Sequence, residues 1–324
     1  MKERLLELAM NAATADIHQR IEKEELIRQF EAHKLYCMPV KGSDTKNYYP
    51  KSEWRTMGDI DVLYKAEQHK EVKMLLWEMG YASFESGLKH DHYSRAPYIS
   101  LEMHRELVAA NTIAESYYSN VWQKVQPREG YEYVYQMSVE EQYIYTMIHL
   151  LEHFKDGGIG IRFVMDVFVF SKLENVNWEY VENVFANLGI LKFARYIEQL
   201  AQRWFANQYI AKSEETEELL DELEEFIIQN GIYGQRSHVQ NIAMGREGHV
   251  GYIRRMVFPN FNSMRTLYPW LSGRPYLLPF AWLIRIVRTV LSRKGKIQMG
   301  MSTLKYGDAR QGKELLEFYK RCGV

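Results

Sequence analysis

The chain has 324 residues, of which 46 % are hydrophobic and 26 % charged, and a formal net charge of −1. That length suits one large domain or two ordinary ones, with enough apolar material for a sizeable core. The near-zero charge excludes a global basic field that would draw in nucleic acid, and the two cysteines, Cys37 and Cys322, form no zinc or disulfide pattern. A reducing, cytoplasmic setting is therefore expected.

The opening stretch, Met1 to Glu7, mixes acids with apolar residues, unlike a signal peptide. Residues 1–34 carry apolar side chains at helical spacing, from Leu5 and Leu6 to Leu26, Ile27 and Phe30. Tyr36 to Val40 predicts a strand, closed by Lys41-Gly42-Ser43 and followed by a polar loop. Asp59 to Tyr64 predicts a second strand, and Ala66 to Met79 an amphipathic helix ended by Gly80. Further strands are expected at Tyr81–Phe84, His90–Arg95 and Tyr98–Leu107. Beyond about residue 110 the pattern turns helical. Ser138-Val139-Glu140-Glu141 fits a capping box, and candidate helices follow at 161–172, 176–188, 190–208, 214–229, 248–256 and 277–292. The expected fold class is α+β. A small mixed sheet with helices on one side (1–125) precedes an all-α bundle (126–324) that closes the substrate cleft.

On the second strand, side-chain alternation puts Asp59 and Asp61 on one face and Ile60 and Val62 on the other. Two adjacent carboxylates repel unless a cation sits between them, and their oxygens suit a hard ion such as Mg²⁺ or Mn²⁺. In Ile99-Ser100-Leu101-Glu102-Met103-His104, the same alternation sets Ser100, Glu102 and His104 opposite an apolar face. Were the two strands neighbours, Glu102 would supply a third acid for a metal site. Lys41-Gly42-Ser43 lies where a strand meets a helix, a place where backbone N–H groups and a hydroxyl can face phosphate oxygens.

Taken together, Pro39-Val40-Lys41-Gly42, Arg55-Thr56-Met57-Gly58-Asp59-Ile60-Asp61-Val62-Leu63 and Leu101-Glu102-Met103-His104 resemble a family of uncharacterised nucleotidyltransferases. That family sits within the DNA polymerase β-like nucleotidyltransferase superfamily. The resemblance is specific over residues 36–107 and looser through His149, His153 and the Arg162–Asp166 stretch. It implies transfer of a nucleoside monophosphate from a nucleoside triphosphate (ATP or another) to an acceptor. It also implies Asp59, Asp61 and Glu102 as magnesium or manganese ligands, and Lys41, Gly42, Ser43 and Arg55 as nucleotide-binding residues. One departure is the stretch between Gly42-Ser43 and Asp59, which is longer than the superfamily's usual spacing.

Other readings stand beside these. Ser43 fits a phosphate contact or a helix cap, and Arg55 a phosphate contact or a pair with an acid. His104 fits a substrate contact, support for Glu102, or a buried hydrogen-bonded histidine. His149-Leu150-Leu151-Glu152-His153 matches a zinc-peptidase pattern, but no third ligand follows at a known spacing. Lining the cleft, or plain packing, are the readings kept for His149 and His153. Arg162 and Asp166, four apart, are expected to pair on a helix, and the resemblance places Asp166 near the cleft. The acid-rich run Glu214 to Glu225 is a solvated helix face. The aromatic, apolar and basic stretch 276–294 could lie on a membrane surface, though it is too short to span one comfortably. The neutral charge favours a small-molecule acceptor over nucleic acid. A binding protein on the same fold, without catalysis, is the alternative function.

Overall fold

The computed structural model describes residues 2–86, 90–96, 99–109, 112–156, 158–207, 209–210, 213–230, 236–292 and 305–324. Tyr98, expected to open a strand, and Arg293 and Lys294, expected to end the aromatic-basic stretch, lie outside the described residues. The chain divides into two compact units, one of Met1–Leu150 with Arg162–Tyr209, the other of Leu151–Ile161 with Ile210–Val324.

The first unit is built on a five-stranded mixed sheet. Its strands are β1 (Cys37–Val40), β2 (Ile60–Tyr64), β3 (Ala82–Ser86), β4 (His90–Arg95) and β5 (Ile99–His104), in the spatial order β1-β2-β5-β4-β3. β2 and β5 run parallel, and every other neighbouring pair is antiparallel. A parallel pair needs a long crossover. Here the crossover carries the helix His69–Glu78 and the β3–β4 hairpin. The sheet and its helices, followed by a largely helical remainder, make the expected α+β class.

One face of the sheet is apolar and takes two helices. Leu26, Ile27 and Phe30 of α1 (Lys2–Ala32), with Val72, Leu75 and Leu76 of the crossover helix, join Ile60, Val62, Tyr64, Leu101 and Met103 in one buried cluster. Each fully buried large apolar side chain contributes about 1.5–3 kcal/mol, so this face anchors the sheet. Alternation then forces Asp61, Glu102 and His104 onto the other face, away from the cluster. The strand registers put Val40 opposite Asp61, Asp61 opposite Glu102, and His92 opposite Glu102. Asp59 sits in a bend just ahead of β2, not inside the strand as the alternation argument has it.

Residues 112–150 and 162–207 add mostly helix to this unit. The principal pieces are Ile161–Phe170, Trp178–Asn187 and Leu191–Phe205, and the helix Val139–Lys155 begins here. Ser138 caps that helix, its hydroxyl accepting from the Glu141 N–H, as the capping box predicts. The second unit contains helices at Glu214–Asn230, Arg236–Val257, Phe261–Leu267, Leu278–Ser292 and Ala309–Cys322. Arg236–Val257 and Ala309–Cys322 cross at a pair of glycines. A Cβ on Gly312 would come within 1.8 Å of the Asn241 carbonyl oxygen, and one on Gly245 within 2.3 Å of Gly312 backbone, so neither position admits a side chain. Among the described residues no helix is long and apolar enough to cross a membrane.

Candidate active site

The site forms where the polar ends of β1, β2, β4 and β5 meet. Register fixes Asp61 beside Glu102 on the parallel pair. Asp59 joins them, so that one ligand atom from each of Asp59, Asp61 and Glu102 lies within 4.8 Å of the other two. These are three oxygen donors from three carboxylates, a set that fits a hard divalent cation.

Lys41 reaches into the same place. Its ammonium donates to Asp61 Oδ1 at 2.6 Å and lies 3.3 Å from Glu102 Oε2. The Lys41 backbone adopts φ 53°, ψ −135°, a region that favours glycine and costs a side-chain-bearing residue on the order of 1–3 kcal/mol. The turn bears that strain where the chain leaves β1 and the side chain enters the carboxylate cluster. Burial alone would lower the Lys41 pKa, but the Asp61 charge overrides it and holds the ammonium protonated.

His104 completes the inner layer. Its Nε2 lies 2.8 Å from Asp61 Oδ1 and 3.1 Å from Glu102 Oε2. Burial would discharge the imidazole, yet the two carboxylates push its pKa up. Glu102 responds in the opposite sense: burial would raise its pKa, while the His104 hydrogen bond and the Lys41 charge hold it below the usual carboxylate range. For Asp59 the Lys41 and His104 charges are outweighed. Burial, then the Asp61 and Glu102 charges, push its pKa up from 3.8 to about 6. The cluster therefore holds its cations around Asp61 and Glu102 and leaves Asp59 as the member most in need of one.

The remaining predicted residues divide. Gly42 starts a four-residue helical turn, Gly42–Thr45, against Arg55; a Cβ there would meet Arg55 Nη1 at 2.7 Å. Ser43 is fully buried, and its hydroxyl donates to the Val40 carbonyl at 2.7 Å and to the Asp61 carbonyl at 3.2 Å. It ties β1 to β2, and of the Lys41-Gly42-Ser43 turn it is the Lys41 side chain that projects into the carboxylate cluster. Of the two readings of Arg55, the structure shows the pair with an acid. Its Nε and Nη2 donate to Asp166 Oδ1 and Oδ2 at 3.0 and 2.8 Å. Tyr49 donates to Asp166 Oδ1 as well, so Asp166 is buried in a network with Arg55 instead of pairing with Arg162. Arg162 donates to the Thr56 carbonyl. His149 is half-buried beside the rings of Tyr145 and Phe163, and His153 is exposed. Among the described residues the metal-capable groups are Asp59, Asp61, Glu102 and His90, Glu102, His104, so the zinc-peptidase pattern gathers no ligand set.

Two residues escaped the sequence reading. His90 and His92 stand on β4 opposite His104 and Glu102, with His90 Nε2 at 3.8 Å and His92 Nδ1 at 3.3 Å from Glu102 Oε1. Their one sequence signal is a His-x-His spacing, which puts both on one strand face but says nothing about what that face meets.

A family model described as "Uncharacterised nucleotidyltransferase" matches residues 1–206, and the chain belongs to that family. The match takes in the whole sheet and the carboxylate cluster. No curated protein and no solved structure gives a match.

Proposed function

We propose that the protein transfers a nucleoside monophosphate from a nucleoside triphosphate to a hydroxyl on a small-molecule acceptor, using Mg²⁺ or Mn²⁺ held by Asp59, Asp61 and Glu102. The observation that carries the reading is the convergence of those three carboxylates within 4.8 Å of one another, in a chain of nucleotidyltransferase family. When bound, such an ion polarises phosphoryl oxygen and offsets charge that develops during transfer.

The protein's own groups divide the rest of the work. Asp59, ionised above about pH 6, is the carboxylate freest to take a cation. Lys41 offsets the Asp61 and Glu102 charges, and its ammonium would offset phosphate charge beside a bound ion. His104 holds Asp61 and Glu102 in one orientation by bonding to both. The Arg55–Asp166 pair fixes the segment that leads to Gly58 and Asp59, so Arg55 helps to position the acids. A net charge of −1 supports a small acceptor over a nucleic acid.

Incubating the protein with Mg²⁺, each α-labelled nucleoside triphosphate and a metabolite extract tests the reading. The expected result is a labelled acceptor with release of pyrophosphate, both lost in Asp61→Asn. Nucleotide binding without pyrophosphate release from any mixture would instead make the chain a binding protein on the same fold.

Contact with an anionic membrane through residues 276–294 is a further part of the proposal. Tyr276, Phe280, Leu283 and Val287 are exposed at helical spacing, and the stretch from 248 to 307 has ten Lys and Arg and no acid. Co-sedimentation with phosphatidylserine vesicles, lost in Phe280→Glu, is expected; equal sedimentation of the variant would remove this part.

A further inference from the structure

Glu102 uses its two oxygens differently. Oε2 is turned to Lys41 and His104, and Oε1 to His90 and His92. The three imidazoles come from two adjacent antiparallel strands, with His90 opposite His104 and His92 opposite Glu102. Alternation places all four side chains on the face that carries Asp61.

We infer that His90, His104 and Glu102 form a second cation site, one that takes a nitrogen-preferring transition ion of the Zn²⁺ type beside the oxygen-only site on Asp59 and Asp61. The inference builds on the proposed placement of Glu102 in the metal cluster and adds a different ion chemistry to it. Two imidazoles and a carboxylate are a donor set suited to zinc or iron, whereas Mg²⁺ prefers oxygen. One ligand atom from each of the three residues lies within 4.8 Å of the others. Metal–nitrogen distances of about 2.0–2.1 Å place tetrahedral ligands about 3.3 Å apart. His104 Nε2 lies 3.1 Å from Glu102 Oε2, and His90 Nε2 3.8 Å from Oε1, so small side-chain movements close the set. His92, 3.3 Å from Oε1, serves as the outer partner that fixes the carboxylate, the role such groups play around bound metals. The second ion would bring its own charge next to Lys41 and Asp61, which ties the occupancy of this site to the charge balance of the first.

The probe is Co²⁺, added to tag-free, chelator-stripped full-length protein and followed by visible absorption. In wild type one equivalent of Co²⁺ is expected to give the intense band of a low-coordinate nitrogen-containing site, displaced by Zn²⁺ and not by Mg²⁺. Asp59→Asn keeps the band. His90→Ala loses it, and His92→Ala weakens binding about 10–100-fold. His90 is a third exposed, so its removal leaves the core intact, and circular dichroism of each variant verifies this. Only the pale spectrum of octahedral, oxygen-bound Co²⁺, or a His90→Ala spectrum identical to wild type, overturns the site. Parallel Mg²⁺–nucleotide titrations separate the two proposals. Intact nucleotide binding without the band defeats this inference alone, and the band without nucleotide binding defeats the transfer reading alone.

Discussion

Asp61 and Glu102 stand opposite each other in register on the parallel strands β2 and β5, and the ammonium of Lys41 bridges them. Two carboxylates this close repel, and β-sheet pairing leaves them no room to part. The strained Lys41 backbone is the local cost of delivering a counter-charge from β1.

Lys41→Met follows from this arrangement. It leaves two buried acids without their main cation and is expected to lower metal-free stability by on the order of 2–4 kcal/mol. Mg²⁺ should restore part of the loss, so the variant's metal-induced rise in Tm exceeds that of wild type. Thermal unfolding with and without Mg²⁺ checks this; an equal loss in both conditions would mean that Lys41 serves packing alone.

Asp59 gives a pH dependence with a definite sign. Its folded pKa, about 6, lies above the ordinary 3.8. The metal-free protein therefore has this group's favourable contribution below about pH 4 and loses it as pH rises through 6. Asp59→Asn removes the penalty, so the variant should be more stable than wild type at neutral pH without metal, by on the order of 1–3 kcal/mol, and equal to it in acid. Metal binding runs the other way, because the ligand must be ionised. Mg²⁺ affinity should fall below about pH 6, which isothermal titration across pH 5–8 measures.

Arg55 connects two distant parts of the first unit. Replacing Asp166 by Ala strands a buried guanidinium and should cost about 3–5 kcal/mol in denaturant unfolding. Gly42→Ala presses a methyl onto Arg55 and should cost about 1–3 kcal/mol. Both act through the position of one side chain, so the double variant should show a non-additive loss. Strict additivity would mean that the methyl is accommodated without moving Arg55.

Much of this site is legible in sequence because β-strand parity is a short-range rule. Parity puts Asp61 opposite Ile60 and Val62, and Glu102 with His104, with no need of the fold. It does not say that β2 and β5 are neighbours, which depends on the long crossover of residues 65–98. Asp59 shows the limit of the rule: it belongs to the cluster from a bend outside the strand. Ser43 and Arg55 match a family pattern, but their partners, the Val40 and Asp61 carbonyls and Asp166, are set by packing that no local spacing encodes. The helix Ala309–Cys322 lies beyond the elements expected from the sequence, although Leu315, Phe318, Tyr319 and Cys322 recur at helical spacing. Its ends were marked all the same, by Asp308 as N-cap and Gly323 in a left-handed conformation.

The most direct test of a metal-dependent nucleotide site on Asp59, Asp61 and Glu102 is calorimetric titration of ATP, CTP, GTP and UTP into wild type and Asp59→Asn, with and without Mg²⁺. Saturable binding of at least one nucleotide that requires Mg²⁺ and disappears in Asp59→Asn is the predicted result. Metal-independent binding, or wild type and Asp59→Asn that behave alike, would contradict it.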